Sequence, residues 1–377
     1  MFASPGDARV SRSSWEPASV APGIAYPTGR PIAIRLPPES WHRPVRHTIS
    51  SVTLRFRIDP DRMDRSLIDA AGDTIRSGGL VAFPTETVYG LGALAIDLAA
   101  IQRLFDAKGR PADDPLIVHV RRGWALESVL AEVSPVVRAL TERFWPGPLT
   151  IVGPRAASIP AVVTSGLDTV AVRAPAHPVA DALLDAVGLP VAAPSANRFG
   201  HISPTTADHV LDDLDGRCDV VLDAGDATLG IESTVVAVTE TGVVVLRHGA
   251  LPVEELGVPV VDAPSRPSVS PGFHVRHYAP DSPMRVVEAG SHALLPTVAS
   301  GVYLGFDDSV PHLPDTWRFF PLGSRDALEA VAVRLYRVLR TVDRLGADLI
   351  VAELTARPGL GRAIDDRLRK AASGRGL

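Results

Sequence analysis

Between Leu80 and Val120 the chain sets side chains capable of polar chemistry beside segments rigid enough to aim them. Thr85, Glu86, Thr87 and Tyr89 follow the apolar run Leu80-Val81-Ala82-Phe83, and Lys108 and Arg110 close a helix-spaced stretch. Hydroxyls and cations of this kind suit the gripping of an anionic ligand. Taken singly they also have plain structural roles: Gly90 and Gly92 can make a turn, and a Lys or Arg at a helix end complements the helix dipole. Lys108 stands out because the chain has only two lysines, the other being Lys370, against 36 arginines. His119 alone reads as a strand histidine satisfied in the core.

The elements that must position these groups follow from the neighbouring residues. Pro84 cannot donate to a sheet ladder and ends the first strand. Asp97 is a helix N-cap, and Ile101, Leu104, Phe105 and Lys108 recur at helical spacing. Arg110-Pro111 stops the helix, and Leu116 to Val120 reads as a second buried strand. The result is a strand–loop–helix–loop–strand unit, and ligands of open α/β sheets sit in crevices near strand ends.

Further along, the spacing predicts helices over 64–76, 134–145, 179–186 and 205–214, with strands at 149–152, 170–172, 191–193, 220–222, 233–238 and 243–246. Arg173 leaves the 170–172 strand at its end, and Pro194 to Pro204 is a loop. The Glu240-Thr241-Gly242 turn makes the last two strands a hairpin, so the sheet is mixed. Residues 261–283 read as a proline-rich linker, although Arg276, His277 and Tyr278 are more than a spacer requires. After it come strands near 285–287 and 301–304, a long helix, a strand at 349–352 and a C-terminal helix. Leu328, Val331, Leu335, Leu339, Val342 and Leu345 share one face of the long helix; Arg334, Arg337, Arg340 and Arg344 form a face expected to be solvated.

Composition bounds the rest. At 377 residues the chain should hold two or three domains. A net charge of -5 gives no global field for nucleic acid, though a local basic groove remains open. The single Cys218 excludes an intramolecular disulfide and a cysteine-rich metal site, as expected of a reducing, cytoplasmic setting. No apolar run approaches the roughly 20 residues of a membrane span, and the start lacks a signal-peptide pattern. Residues 1–50 carry eight prolines, six arginines and three acids without periodicity, and read as a disordered or mis-assigned extension whose removal leaves activity intact.

The motifs are more specific together than apart. PTETVYGLG followed by KGRPADDPLIVHV resembles the YrdC-like family of threonylcarbamoyl-AMP synthases. Ala193-Pro194-Ser195-Ala196-Asn197, Ser203-Pro204-Thr205, Glu232-Ser233-Thr234-Val235, Leu246-Arg247-His248-Gly249, Ser270-Pro271-Gly272 and Arg276-His277-Tyr278-Ala279-Pro280 follow in the family's order. The resemblance implies an α/β fold: a YrdC-like twisted mixed open sheet with flanking helices and a concave site, plus a smaller C-terminal Rossmann-like α/β domain. On this reading residues 1–53 are an extension, 54–260 the catalytic domain, 261–283 a linker or lid and 284–377 the C-terminal domain, which shows no catalytic constellation.

The resemblance also implies chemistry. L-Threonine, bicarbonate and ATP with Mg²⁺ would give threonylcarbamoyl-AMP and pyrophosphate, for the N6-threonylcarbamoyl group of adenosine 37 in tRNA. Such a transfer needs positioning and charge neutralisation more than a protein nucleophile. Thr87, His119, Arg173, Ala193 and Ser233 resemble threonine-binding positions; Arg110, Asp114, Thr169, Ser195, Ser203, Arg247 and Tyr278 resemble ATP-binding ones. Lys108 and Arg110 are assigned to the phosphates as catalytic cations. No protein metal ligands are expected, Mg²⁺ arriving on ATP. Asp114 departs from the family's usual Asn, and a carboxylate beside a triphosphate needs a metal or an arginine to offset it. Partners would be a downstream tRNA threonylcarbamoyl transferase complex and tRNA or double-stranded RNA. Two other readings compete: a non-catalytic RNA-binding protein with the same concave site, and a carbamoyl transferase of hydrogenase maturation, whose acylphosphatase-like and zinc-finger modules are missing here.

Overall fold

The computed structural model describes residues 52–240, 242–261, 277–289, 295–308, 310 and 312–373. The expected N-terminal extension up to residue 51 and the linker stretch 262–276, with Ser270-Pro271-Gly272 and Arg276, lie outside the described residues.

Helix starts follow their caps. Asp64 accepts from the Ser66 amide to open α1 (Arg65–Arg76), and Asp97 accepts from the Ala99 and Ala100 amides to open α2 (Leu98–Lys108). α2 closes on Gly109 in the left-handed region, φ 61°, where a side chain would be strained. Ser134 caps α3 (Pro135–Phe144), His177 caps α4 (Pro178–Val187) and Thr206 caps α5 (Ala207–Leu214).

The strands are β1 (Leu54–Arg57), β2 (Val81–Phe83), β3 (Gly90–Leu94), β4 (Ile117–His119), β5 (Leu149–Pro154), β6 (Thr169–Arg173), β7 (Val191–Ala192), β8 (Val220–Asp223), β9 (Thr234–Val238) and β10 (Val243–Arg247). They form one mixed sheet in the order β1-β8-β2-β3-β7-β4-β6-β5-β9-β10. The expected hairpin is the antiparallel pair β9–β10. The loop expected after β2 is instead a short turn, because Gly90-Leu91-Gly92 runs straight into β3, antiparallel to β2. The glycines there are strand residues under compression: a Cβ on Gly92 would lie 3.0 Å from both Phe83 and Val191 side-chain carbons.

Alternation along β2 buries the sheet on both faces. Leu80 and Ala82 join Ile101, Leu104, Phe105 and Val118 beneath α2, whereas Val81 and Phe83 pack with Ile68, Ile75 and Leu183 beneath α1 and α4.

A second, wholly parallel sheet follows, ordered β11 (Met284–Val287), β14 (Leu349–Glu353), β12 (Gly301–Phe306), β13 (Trp317–Gly323), with α6 (Leu328–Asp343) and α7 (Leu360–Ala372). The sequence reading lacks β1 and β13. Both are edge strands; β1 alternates charges and β13 carries Pro321, so neither has a buried strand's pattern.

On the arginine face of α6, Arg334, Arg337 and Arg344 are exposed as expected, and Arg340 is the exception. Arg340 pairs with Asp213 at 2.7 Å, both nearly buried, and also donates to the Ile202 carbonyl. Arg337 reaches Asp226 and Arg344 reaches Asp212, both more exposed. The acids on the α5 side of the first sheet are the reason: the helix docks there and neutralises them. The apolar face is shared too, since Ile202, Ile231 and Tyr278 lie in one core with Val331, Leu335, Tyr336 and Leu368.

Candidate active site

One cavity opens where the carboxyl ends of β4, β6 and β10 meet the β2–β3 turn and the Pro194 loop. Thr87, Arg110, His119, Arg173, Ala193, Ser195, Ser233, Arg247 and Tyr278 line it, together with Thr85, Glu232 and His277. Nine of the expected positions are therefore brought together from elements scattered along the chain.

One wall is organised by Arg173. β4 and β6 are parallel and in a register that places His119 beside Arg173, so both strand ends deliver to the same place. Arg173 donates from Nε to the Gly147 carbonyl at 3.1 Å and from Nη1 to Thr87 Oγ1 at 2.9 Å, and Nη2 pairs with Glu86 at 2.6 Å. Both members of that ion pair are buried, so the carboxylate cancels a charge the interior would not otherwise hold. Thr85 builds the turn that presents them: its Oγ1 accepts from the Thr87 and Val88 amides and donates to the Val88 carbonyl. Burial, reinforced by the Arg173 charge, drives the His119 pKa down to about 3, so its ring is neutral. Nδ1 lies 3.2 Å from the Ile117 carbonyl and carries the proton, which leaves Nε2 as an acceptor.

The opposite wall is organised by Arg247, at the end of β10. It donates three times to Ser233: Nε and Nη2 to the carbonyl at 3.1 and 3.0 Å, and Nη2 to Oγ at 3.1 Å. Ser233 Oγ also shares a 2.7 Å hydrogen bond with Thr150. Arg110 donates to the carbonyls of Asp114 and Pro115 and forms a 2.9 Å ion pair with the Asp114 carboxylate. The Tyr278 hydroxyl and both His277 ring nitrogens are buried in this wall with no hydrogen-bond partner among the described residues. Buried polar atoms are normally satisfied, and these belong to residues that line the cavity.

Four expected site residues do not line the cavity. Lys108 lies beneath it, with its ammonium donating to the carbonyls of Ser195 and Asn197. Burial and the neighbouring Arg110 hold its pKa well below the usual lysine range. Asp114 is turned onto Arg110, which supplies the arginine that offsets this carboxylate. Ser203 donates to Glu232 at 2.7 Å behind the wall. Thr169 starts β6 and Arg173 ends it; four strand steps at about 3.3 Å each carry Thr169 to the far, exposed end.

A profile of the Sua5/YciO/YrdC family, described as "Telomere recombination", matches residues 73–249, and one described as "Threonylcarbamoyl-AMP synthase, C-terminal domain" matches residues 240–373. A threonylcarbamoyl-AMP synthase of Pyrococcus abyssi (strain GE5 / Orsay) is 43% identical over 328 residues, 82% of this chain and 95% of that protein. One of Bacillus subtilis (strain 168) is 39% identical over 326 residues, 82% of this chain and 93% of its own. The chain belongs to the threonylcarbamoyl-AMP synthase family. The crystal structure of P. abyssi Sua5 complexed with L-threonine superposes with a TM-score of 0.76 at 39% identity, covering 86% of this chain and 98% of that one.

Two site acids escaped the family-based reading. Glu86 sits inside the PTET motif, and its proximity to two threonines gave no sign that it would pair with an arginine 87 positions away. Glu232 heads the Glu-Ser-Thr-Val motif, and its partners are still more distant. It accepts from Ser203, from the Tyr336 hydroxyl at 2.8–2.9 Å and from Arg367 Nε at 2.7 Å. Burial pushes its pKa up, but Arg367, Arg247 and the Ser203 hydrogen bond outweigh that and hold it at about 2. Among the described residues no group of three or more His, Cys, Asp or Glu side chains could hold a metal ion, and no helix is long and apolar enough to cross a membrane.

Proposed function

We propose that this chain is an L-threonylcarbamoyladenylate synthase, a nucleotidyltransferase that makes threonylcarbamoyl-AMP and pyrophosphate from L-threonine, bicarbonate and ATP. The observation that carries the reading is the pairing, in one cavity, of a wall organised by Arg173 with a wall that carries Arg110 and Arg247 and, among the described residues, buried polar atoms of His277 and Tyr278 without a hydrogen-bond partner. In this reading residues 54–260 carry the chemistry, 284–377 form the C-terminal domain, and 261–283 lie between them in sequence.

Arg173 is the threonine carboxylate clamp. A guanidinium has five N–H groups; the Gly147 carbonyl, Thr87 and Glu86 take three, and two remain for the substrate. Thr87 and Ser233 serve the substrate hydroxyl, and a site built around a hydroxyl rejects analogues that lack it. His119 Nε2 accepts a hydrogen bond from the threonine amine, while Ala193 leaves room beside it. The amine adds to bicarbonate as a carbamate with loss of water; a carbamate oxygen then attacks the α-phosphorus, and the bond to the pyrophosphate oxygen breaks. No protein nucleophile is required.

Arg110, Arg247 and Tyr278 take the nucleotide, with Ser195 as a neutral donor. Lys108 acts through the Pro194–Asn197 loop that it ties down. Mg²⁺ carried in on ATP would supply charge neutralisation for the departing pyrophosphate, beside Arg110 and Arg247. Among the described residues of this wall, Asp114 is paired with Arg110 and Glu232 with Arg367. The product is consumed by a tRNA threonylcarbamoyl transferase complex, in the cytoplasm where ATP and tRNA are present.

The test is pyrophosphate release from ATP with threonine and bicarbonate omitted in turn. Release that needs both, and drops with serine in place of threonine, is expected. Release indifferent to threonine would sink the reading, and its absence from a folded protein that binds RNA would favour a non-catalytic role.

A further inference from the structure

The structure assigns Arg367 and Tyr336, both in the C-terminal layer, as positioning residues for the nucleotide wall, acting through Glu232 and Tyr278. This rests on the reading of that wall as the ATP side.

Three observations meet here. First, Glu232 lines the cavity one residue before Ser233, which Arg247 grips through three hydrogen bonds. A second acceptor so close would compete for Arg247. Glu232 is instead committed away from it, since Arg367 Nε and the Tyr336 hydroxyl take both its oxygens. Second, Tyr278 has φ 61°, a left-handed conformation that a bulky side chain seldom adopts unless its surroundings impose it. Those surroundings are the same two side chains. The Tyr336 ring stacks on Tyr278 at 5.7 Å between centroids and 23° between planes, and the Arg367 guanidinium lies 5.0 Å over the Tyr278 ring. Third, Arg367 is fully buried and further anchored by Asp366 and the His248 carbonyl, so it is held in one place.

The consequence is a division of charge. Arg367 supplies the largest counter-charge to Glu232, as Asp114 supplies that to Arg110, which leaves Arg247, held on Ser233, as the cation directed at the ligand. Removing Arg367 alone leaves Glu232 to recruit Arg247 and loosens the clasp on Tyr278. Removing both charges together restores the balance, which a merely structural role for Arg367 would not predict.

The experiment measures the KM for ATP and for threonine by pyrophosphate release, and ATP affinity by calorimetry, in the full chain and in Arg367→Met, Arg367→Met/Glu232→Gln and Tyr336→Phe. Arg367→Met should raise the ATP KM and Kd about tenfold with the threonine KM within about twofold, and the double variant should return ATP to within about threefold of the parent. Tyr336→Phe keeps the ring and loses one hydrogen bond, so the expected rise is only about twofold to threefold. An unchanged ATP Kd in Arg367→Met, an equal loss toward both substrates, or a folded double variant with ATP still weakened overturns the assignment. Should Arg367→Met fail to fold, the double variant decides alone. Wild-type release that ignores threonine and bicarbonate defeats the underlying functional reading instead, and the calorimetric ATP arm still judges the assignment; no ATP binding by the wild type overturns both.

Discussion

The two walls of the cavity are built in different ways. The Arg173 wall is made wholly within the first sheet: register sets His119 beside Arg173, and a turn two strands away presents Glu86 and Thr87. The Arg247 wall is completed from outside that sheet, by α6 and α7 through Glu232 and Tyr278. A wall made by strand register needs only its own backbone to persist. A wall made by packing between layers is sensitive to changes far from the ligand, and that sensitivity gives the second layer a hold on the site.

The largest expected effect lies in the Arg173 wall. Arg173→Ala strands Glu86 as a buried charge and should cost about 3–5 kcal/mol of stability, read by denaturant unfolding. The neutral pair Arg173→Met/Glu86→Gln should recover most of that stability but not threonine-dependent pyrophosphate release. Full threonine use by the pair would break the contrast between the walls, because Arg173 would then be only structural.

A smaller effect is expected across the cavity. Tyr278→Phe removes the hydroxyl that has no hydrogen-bond partner among the described residues and should weaken ATP about tenfold while sparing the threonine KM. An effect on threonine as large as that on ATP would merge the two walls into one.

Acid should act on stability through both walls. Burial lowers His119 to about 3 and, with the α6 arginines, His209 to about 4, and it holds His277 well below its usual value. These groups bind protons in the unfolded chain first, near pH 6.5. The stability they confer is therefore complete above about pH 6.5 and lost as pH falls through the folded values, by at most about 1.4 kcal/mol per group per pH unit. Melting temperature should fall from pH 7 to pH 5, and His209→Gln should flatten the slope. A flat profile in the parent protein would remove this account.

The smallest expected effect is at Asp114. Asp114→Asn keeps an acceptor for Arg110 but removes a negative charge, and should lower the ATP KM by about threefold or less. A rise in the ATP KM would mean that Asp114 orients Arg110 more than it repels the nucleotide.

Much of the fold was legible because the signals were local. Asp64, Asp97 and Ser134 announced their helices, and apolar runs with Gly or Pro at their ends announced β2, β4 and β6. Gly90 to Leu94 was misread because two glycines look like a turn, and only the closeness of Phe83 and Val191 explains them. In the site, motif residues whose own strand or loop ends at the cavity line it. Thr169 does not line the cavity because it begins the strand whose other end, Arg173, does. Lys108 reached the right loop but meets its carbonyls from below.

Residue order alone supplies the motif set, the caps and the alternation that make layers of helix on sheet, because these depend on neighbours within a few positions. It does not supply partners. That Glu86 belongs to Arg173, Asp114 to Arg110, Glu232 to Arg367 and the arginines of α6 to the acids beside them follows only from folding. A charge takes its partner from what is near in space once water is excluded, and in three of these four cases that partner lies many tens of residues away in sequence.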